Sequence, residues 1–290
     1  RGLGDVYKRQ DTITVTSNAT TGSTYSITGG TSNTMTLGAG LATVTGGTGN
    51  DSITLGLGNA TIIGNGGLDT IKANGGLSTS AYSITGGAMA DQIWLGDGSA
   101  TVNGYLGGSD TITVGTQGNY LWSFAGGTGA VNVNMSAGTA VVAGSVQVVT
   151  GGTMQSIQGT GFADTLIAGT GTVLLDGGTG GNDVFDLGTT TKQSANPLMI
   201  VGNAGTVNTL TFANNSGGLV LVDLLNNIAS TGTGYANLSN ANIRSVIGSS
   251  KADTIVLGAN TSPQTVVGGG GNDTITCLLY TSDAADDTPC

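Results

Sequence analysis

Between residues 28 and 72 the apolar positions recur every nine residues, in the units TGGTSNTMT, LGAGLATVT, GGTGNDSIT, LGLGNATII and GNGGLDTIK. The eighth position is always apolar (Met35, Val44, Ile53, Ile62, Ile71). Its neighbours are mostly threonine: Thr34, Thr36, Thr43, Thr45, Thr54, Thr61 and Thr70. An apolar residue between two polar ones predicts a short strand with one inward side chain and an outward threonine surface. The glycines at positions two to four predict the preceding turn, where stacked coils and positive φ leave no room for a Cβ. A fixed short period predicts a solenoid, because no single coil can bury its own apolar face. Position six alternates between a side-chain oxygen and a methyl group: Asn33, Ala42, Asp51, Ala60, Asp69. The full repeat is therefore two units, or 18 residues, with strands on two opposed parallel sheets. The expected fold class is all-β, a parallel β-roll or β-solenoid with irregular wider coils and loops.

The pattern lapses and returns. Residues 86–113 contain GGAMADQIW and YLGGSDTIT, with Asp91 and Asp110 at position six. Residues 159–186 place Asp164 and Asp183 in register, and residues 248–276 do the same for Asp253 and Asp273. A longer repeat overlies the short one, with Phe124 to Phe212 spaced 88 residues and Asp164 to Asp253 spaced 89. Each long module has an apolar strand pair, a polar loop and a nonapeptide run, the V-N-V-N and L-V-L-V-D-L-L segments reading as strands. Residues 187–208 and 226–241, rich in Thr, Asn and Gly, are expected as connectors. The organisation is then a β-roll over 11–113, a first long module over 114–186 and a second over 187–276. One continuous solenoid of variable coil width is expected, not independent globular domains.

The two ends do not share this pattern. RGLGDVYKRQ (1–10) and the segment from CLLYTSDAADD onward (277–290) resemble translated sequencing adapters and are set aside as artefacts of a fragment's ends. Both cysteines fall in the second of these, so the remainder has no disulfide framework and no cysteine-ligated metal. The remainder holds 13 aspartates against four basic residues, and neither glutamate nor histidine. Missing glutamate argues against helices. Missing histidine, cysteine and glutamate exclude a Ser–His–Asp triad, a Cys–His pair and histidine-ligated zinc, so no catalytic residue is expected. The acidic balance is unsuited to nucleic acid, and no apolar run is long enough to span a membrane as a helix. It suits cations.

Alternation at position six gives that charge a place. Coils 18 residues apart stack directly, which sets Asp51 and Asp69 roughly 4.8 Å apart. Two carboxylates at that separation repel by about 1 kcal/mol even in water. A hard cation between them removes the repulsion, and turn carbonyls complete an oxygen shell of the kind calcium takes. The candidate metal residues are Asp51, Asp69, Asp91, Asp110, Asp164, Asp183, Asp253 and Asp273. The turn glycines Gly46, Gly47, Gly49, Gly64, Gly67, Gly268 and Gly271 go with them. With Ala42, Ala60 and Ala100 on the opposite flank, the ladder is expected on one side only. Asp97, Asp176, Asp186 and Asp223 fall outside position six and are expected at the solvated surface.

Gly46–Thr54 matches G-G-x-G-x-D-x-U-x in full, as does GGGGNDTIT (268–276), and this stretch resembles the RTX (repeats-in-toxin, hemolysin-type) calcium-binding nonapeptide repeats. The mixed module is similar to surface-layer proteins and adhesins carrying such repeats. The resemblance implies an extracellular or cell-surface structural protein exported by a type I-like route and folding on calcium. Self-association and a cell-surface glycan are the candidate partners. A repeat region of a larger secreted RTX enzyme or toxin is one alternative. An ice- or glycan-binding module, suggested by Thr48 and Asn50, is another. Trp94, Tyr105, Tyr120 and Trp122 lie near the middle of the chain as core or partner-contact residues.

Overall fold

A computed structural model describes residues 12–16, 24–73, 80–188, 196–203, 207–215, 218–232, 234–258 and 263–277. The adapter-like ends, Cys277 apart, lie outside the described residues, as do parts of the expected connectors. The chain is all-β, with 28 strands and no helix among the described residues. Two compact units emerge, residues 1–127 with 138–155, and residues 128–137 with 156–290.

In the first unit, successive strands alternate between two parallel sheets. One sheet runs Thr12–Val15, Thr34–Leu37, Ser52–Thr54, Thr70–Ala73, Gln92–Leu95, Thr111–Val114 and Ser145–Gly151. The other runs Thr24–Thr28, Leu41–Gly47, Ala60–Asn65, Ala81–Gly87, Ser99–Asn103 and Asn119–Ser123. Ser52 pairs with Thr70 and Ala42 with Ala60, each the 18-residue offset that the sequence predicts. Coils that carry extra residues widen the offset to 22, as between Thr70 and Gln92. Met35, Val44, Ile53, Ile62 and Ile71 are all fully buried, and each contributes about 1.5–3 kcal/mol by leaving water. Thr34, Thr36, Thr43 and Thr61 are exposed. Tyr120, Trp122 and Phe124 are buried, so two of the four central aromatics are core. Trp94 instead lies on the outer face, with the Lys72 Nζ 5.5 Å from its ring centroid.

The second unit is built alike. Its first sheet contains Val131–Asn134, Thr165–Ile167, Val184–Asp186, Asn208–Thr211, Ile243–Ile247 and Thr265–Val267. Its second contains Ser156–Gln158, Leu174–Asp176, Leu198–Val201, Tyr235–Asn240, Ile228–Ser230, Leu221–Asp223, Thr254–Val256 and Thr274–Thr276. The V-N-V-N and L-V-D segments are strands, as expected. The expected connectors 187–208 and 226–241 are not merely connectors, because Leu198–Val201, Ile228–Ser230 and Tyr235–Asn240 are strands within them. Their inward residues Leu198, Ile200, Ala229, Ala236 and Leu238 are buried, and that burial outweighs a polar composition.

Antiparallel excursions were not foreseen by the nine-residue period. Thr139–Val142 runs antiparallel to Ser145–Gly151, and Ile228–Ser230 runs antiparallel to both Leu221–Asp223 and Tyr235–Asn240. A two-residue link suffices for an antiparallel pair when both linking residues take positive φ. Ala143 and Gly144 do so, at 48° and 84°.

Replacing the fully buried Ile53 by alanine should therefore lower unfolding free energy by about 2–5 kcal/mol. Thr36→Ala, on the exposed face, should change it by about 0.5 kcal/mol or less. Denaturant unfolding of the two variants checks the inward–outward assignment.

Candidate functional site

In the first unit the expected Asp51–Asp69 pair stacks as predicted, and it is part of something longer. Residues immediately preceding the strands of the first sheet form one buried column: Asn33, Asp51, Asp69, Asp91 and Asp110. Each backbone N–H in the column donates to the side-chain Oδ1 of the next coil. The distances are 2.6 Å from Asn33 to Asp51, 2.8 Å from Asp51 to Asp69 and 2.8 Å from Asp69 to Asp91. Asp91 to Asp110 follows at 2.9 Å. The pairs read separately from the sequence are thus four consecutive rungs. Backbone carbonyls complete the zipper, with Thr70 N–H donating to Asp51 O at 2.8 Å.

The second oxygen of Asp51, Asp69 and Asp91 turns inward beneath the turn. A Cβ on Gly46 would stand 2.5 Å from Asp51 Oδ2 and 2.7 Å from the Gly64 carbonyl oxygen, so glycine is required there. Gly64 and Gly86 stand in the same relation to Asp69 and Asp91. The Oδ2 atoms of Asp51, Asp69 and Asp91 are buried and have no hydrogen-bond partner. Asn33 shows what that position demands. Its Nδ2 occupies the corresponding place under Gly29 and donates to Gly46 O at 2.9 Å, to Thr31 O at 3.0 Å and to Asp51 Oδ1 at 2.8 Å. The slot is lined by acceptors. An amide fits it directly, whereas a carboxylate needs a proton or a cation.

The electrostatics agree with that geometry. Desolvation raises the Asp69 carboxyl to about 7, against the Asp51 N–H bond that lowers it and with the nearby Asp91 and Asp51 charges adding to the rise. Asp91 and Asp110 are pushed up to about 6, again chiefly by burial. Asp51 is also raised by burial, opposed by its bonds from Asn33.

Amides close the columns. Gln147, fully buried, stands next after Asp110 and donates to Gly104 O at 2.9 Å and Gly107 O at 3.2 Å, while Trp122 Nε1 donates to its Oε1 at 3.3 Å. The matching column of the other sheet holds Ala42, Ala60, Tyr82, Ala100 and Tyr120, all buried. Two of its coils use a phenol, with Tyr82 donating to Gly56 O at 3.1 Å and Tyr120 to Gly96 O at 2.6 Å. Within this unit the acidic column is one-sided, as expected.

The second unit departs from that. Asp164 and Asp183 precede strands of its first sheet, with Asp164 N–H donating to Asp183 Oδ1 at 2.9 Å. Asp183 N–H in turn donates to Asn208 Oδ1 at 2.9 Å, and Asn208 Nδ2 closes on Ala241 O at 2.8 Å. Asp183 Oδ2 is buried without a partner, and burial lifts this carboxyl to about 6. Asp253 and Asp273 also stack, at 2.9 Å from N–H to Oδ1, but they precede strands of the second sheet. The one-sided ladder expected for the whole chain is therefore corrected. Strands alternate sheets, and Thr254–Val256 falls an odd number of half-coils after Thr165–Ile167, so the long repeat changes flank. Past Asn208, the first-sheet column switches to donors, with Arg244 Nη1 and Gln264 Nε2 buried and unpartnered.

Of the aspartates assigned to the surface, Asp97 is exposed, whereas Asp186 is buried. Asp186 takes the Gly188 N–H at 2.8 Å and the Asn214 Nδ2 at 2.5 Å, a turn-capping role that hides the carboxylate. Asp223 caps its own turn through Leu225 and Asn226. Sequence reading placed Asn33 at position six without giving it a role, and it missed Asn208 as a column member and Gln147 as a terminator. Asn33 at position six was the available signal. Among the described residues no three His, Cys, Asp or Glu side chains converge on one point. A cation here would be held by stacked carboxylates and turn carbonyls, and the orphaned Oδ2 atoms fit that arrangement. Comparison with models of known protein families and with curated proteins yields no match.

Because these carboxyls are raised in the folded chain, it retains protons that the unfolded chain releases. Their contribution to calcium-free stability is complete below about pH 4. It is lost as pH rises through the values of about 6 for Asp91, Asp110 and Asp183 and about 7 for Asp69. Asp223 has the opposite sign, since hydrogen bonds from Asn226 and Leu225 overcome desolvation and lower it. Melting in a chelator should therefore weaken from pH 4 to 7.5. Asp69→Asn, which places an amide opposite the Gly86 carbonyl as Asn33 does opposite Gly46, should strengthen the β signal of the chelated chain at pH 7.5. A chelated chain that grows steadily more stable over that range contradicts the assignment.

Proposed function

We propose that this chain is a calcium-binding structural β-solenoid of a secreted or cell-surface protein, a scaffold of the surface-layer or adhesin kind that orders itself on extracellular calcium. The observation that carries the reading is the run of buried, unpartnered Oδ2 atoms on Asp51, Asp69 and Asp91, facing a slot where Asn33 places a donor. A hard divalent cation is the ligand that several stacked carboxylates and turn carbonyls can share at neutral pH. Resemblance of Gly46–Thr54 to the RTX nonapeptide points to calcium among such cations. In the calcium-poor cytosol, orphaned acceptors and the entropy cost of the glycine turns keep the chain loose. Outside the cell, calcium near the millimolar affinities of extracellular modules draws it into the folded state by mass action. No catalytic residue belongs to this reading.

An ice- or glycan-binding module is the second reading. It is favoured by the outward hydroxyl column Ser26, Thr43, Thr61, Ser83 and Thr101 on the second sheet of the first unit. The companion column reads Thr28, Thr45, Ile63, Thr85 and Asn103, and its break at Ile63 leaves the scaffold reading ahead.

Circular dichroism of residues 11–276 at pH 7.5, first in EGTA and then with calcium added, tests the proposal. The β signal should be weak in EGTA and recover with calcium, and Asp51→Ala should shift the midpoint to higher calcium. An unchanged signal in both experiments rejects the calcium switch.

A further inference from the structure

Six of the eight ladder aspartates fall into two kinds, and the second residue of the glycine turn separates them. In the turns over Asp51, Asp69, Asp91 and Asp183 that residue has positive φ: Gly47 at 131°, Asn65 at 76°, Gly87 at 153° and Gly178 at 91°. In all four, the carboxylate Oδ2 is buried and unpartnered. Thr160 and Ser249 hold the corresponding place over Asp164 and Asp253, and neither has positive φ. There the backbone N–H faces the carboxylate. Thr160 N–H donates to Asp164 Oδ2 at 2.6 Å, and its hydroxyl reaches Oδ1 at 2.9 Å and Oδ2 at 3.1 Å. Ser249 N–H donates to Asp253 Oδ2 at 2.5 Å and its hydroxyl to Oδ1 at 2.8 Å.

Both closed carboxylates also hold a strand start 33 residues upstream. Val131 N–H donates to Asp164 Oδ1 at 2.8 Å, and Val220 N–H to Asp253 Oδ1 at 3.1 Å. Valine stands in the column where the other rungs have an acid or amide, so no second carboxylate adjoins on that side. Each of these two sites lies at the start of a nonapeptide run, just after the chain returns from an antiparallel excursion.

The geometry points to a selection rule: the second turn residue decides whether a ladder aspartate takes a cation, and Thr160 and Ser249 make Asp164 and Asp253 cation-independent staples. Glycine or asparagine with positive φ leaves Oδ2 open for metal. A hydroxyl residue with negative φ supplies donors in the metal's place. The rule rests on the calcium reading above for what fills the open rungs, and it removes Asp164 and Asp253 from that set. Each long module then opens on a rung that closes without calcium, from which metal-dependent coils can stack.

Isothermal titration of residues 11–276 with calcium chloride, alongside three variants, tests the rule. Asp164→Asn with Asp253→Asn should leave the number of calcium ions bound unchanged. Thr160→Gly with Ser249→Gly frees both turns to take positive φ and should add two sites. Thr160→Ser with Ser249→Thr should behave as the parent. Loss of calcium ions in the asparagine variant overturns the rule, as does an unchanged count in a glycine variant whose circular dichroism is native. Should the glycine variant fail to fold in calcium, the asparagine variant alone decides. If the parent binds no calcium, the calcium reading falls. The staples are then judged by melting in EGTA, where Thr160→Gly with Ser249→Gly should lower the midpoint and an unchanged midpoint rejects them.

Discussion

The structure depends on one awkward contact, an aspartate oxygen buried beneath a glycine turn and turned toward backbone carbonyls. Acceptor meets acceptor beneath Gly46 at Asp51 and beneath Gly64 at Asp69, and the Oδ2 atoms of Asp91 and Asp183 are likewise buried without a partner. Leaving such an atom unpaired costs about 1–3 kcal/mol, more for a charged group, and the cost recurs at every open rung. The apolar interior is complete, with isoleucine stacked on isoleucine through Ile53, Ile71 and Ile93. The strands that carry them pair in regular parallel register.

The other half of each carboxylate explains why the contact persists. Oδ1 caps the backbone N–H of the adjacent coil, a bond that the turn would otherwise leave unmade. Replacing the acid by alanine would orphan that donor. Replacing it by an amide keeps the cap and adds donors, as Asn208 does beside Asp183. The column is thus a backbone zipper with a choice of what fills its inner lane. Amides, phenols, hydroxyl staples and open carboxylates are all used in one chain. Only the open carboxylates require something from outside it, and calcium is the proposed occupant.

Much of the fold was legible because period nine fixes both the turn and the inward residue. Met35, Val44, Ile53, Ile62 and Ile71 are each buried where the repeat places them, and Asp51 stacks on Asp69. Three things were hidden. Coils lengthened by insertions break the visible period without breaking register, so Asp69 and Asp91 read as separate pairs although they are neighbours. The flank of a nonapeptide depends on how many half-coils precede it, and antiparallel excursions make that count unreadable, so Asp253 and Asp273 arrive on the other sheet. The distinction between open and closed rungs rests on a single turn residue. Thr160 and Ser249 look like ordinary lapses from glycine until their hydroxyls are seen on the carboxylates.

Anomalous X-ray diffraction from crystals grown in calcium, and then exchanged with terbium, tests the central claim most directly. The account predicts metal peaks in one column beside the Oδ2 atoms of Asp51, Asp69 and Asp91, another beside Asp183, and none beside Asp164. A column without peaks at saturating metal, its carboxylates bonded instead as neutral acids to the turn carbonyls, would contradict it.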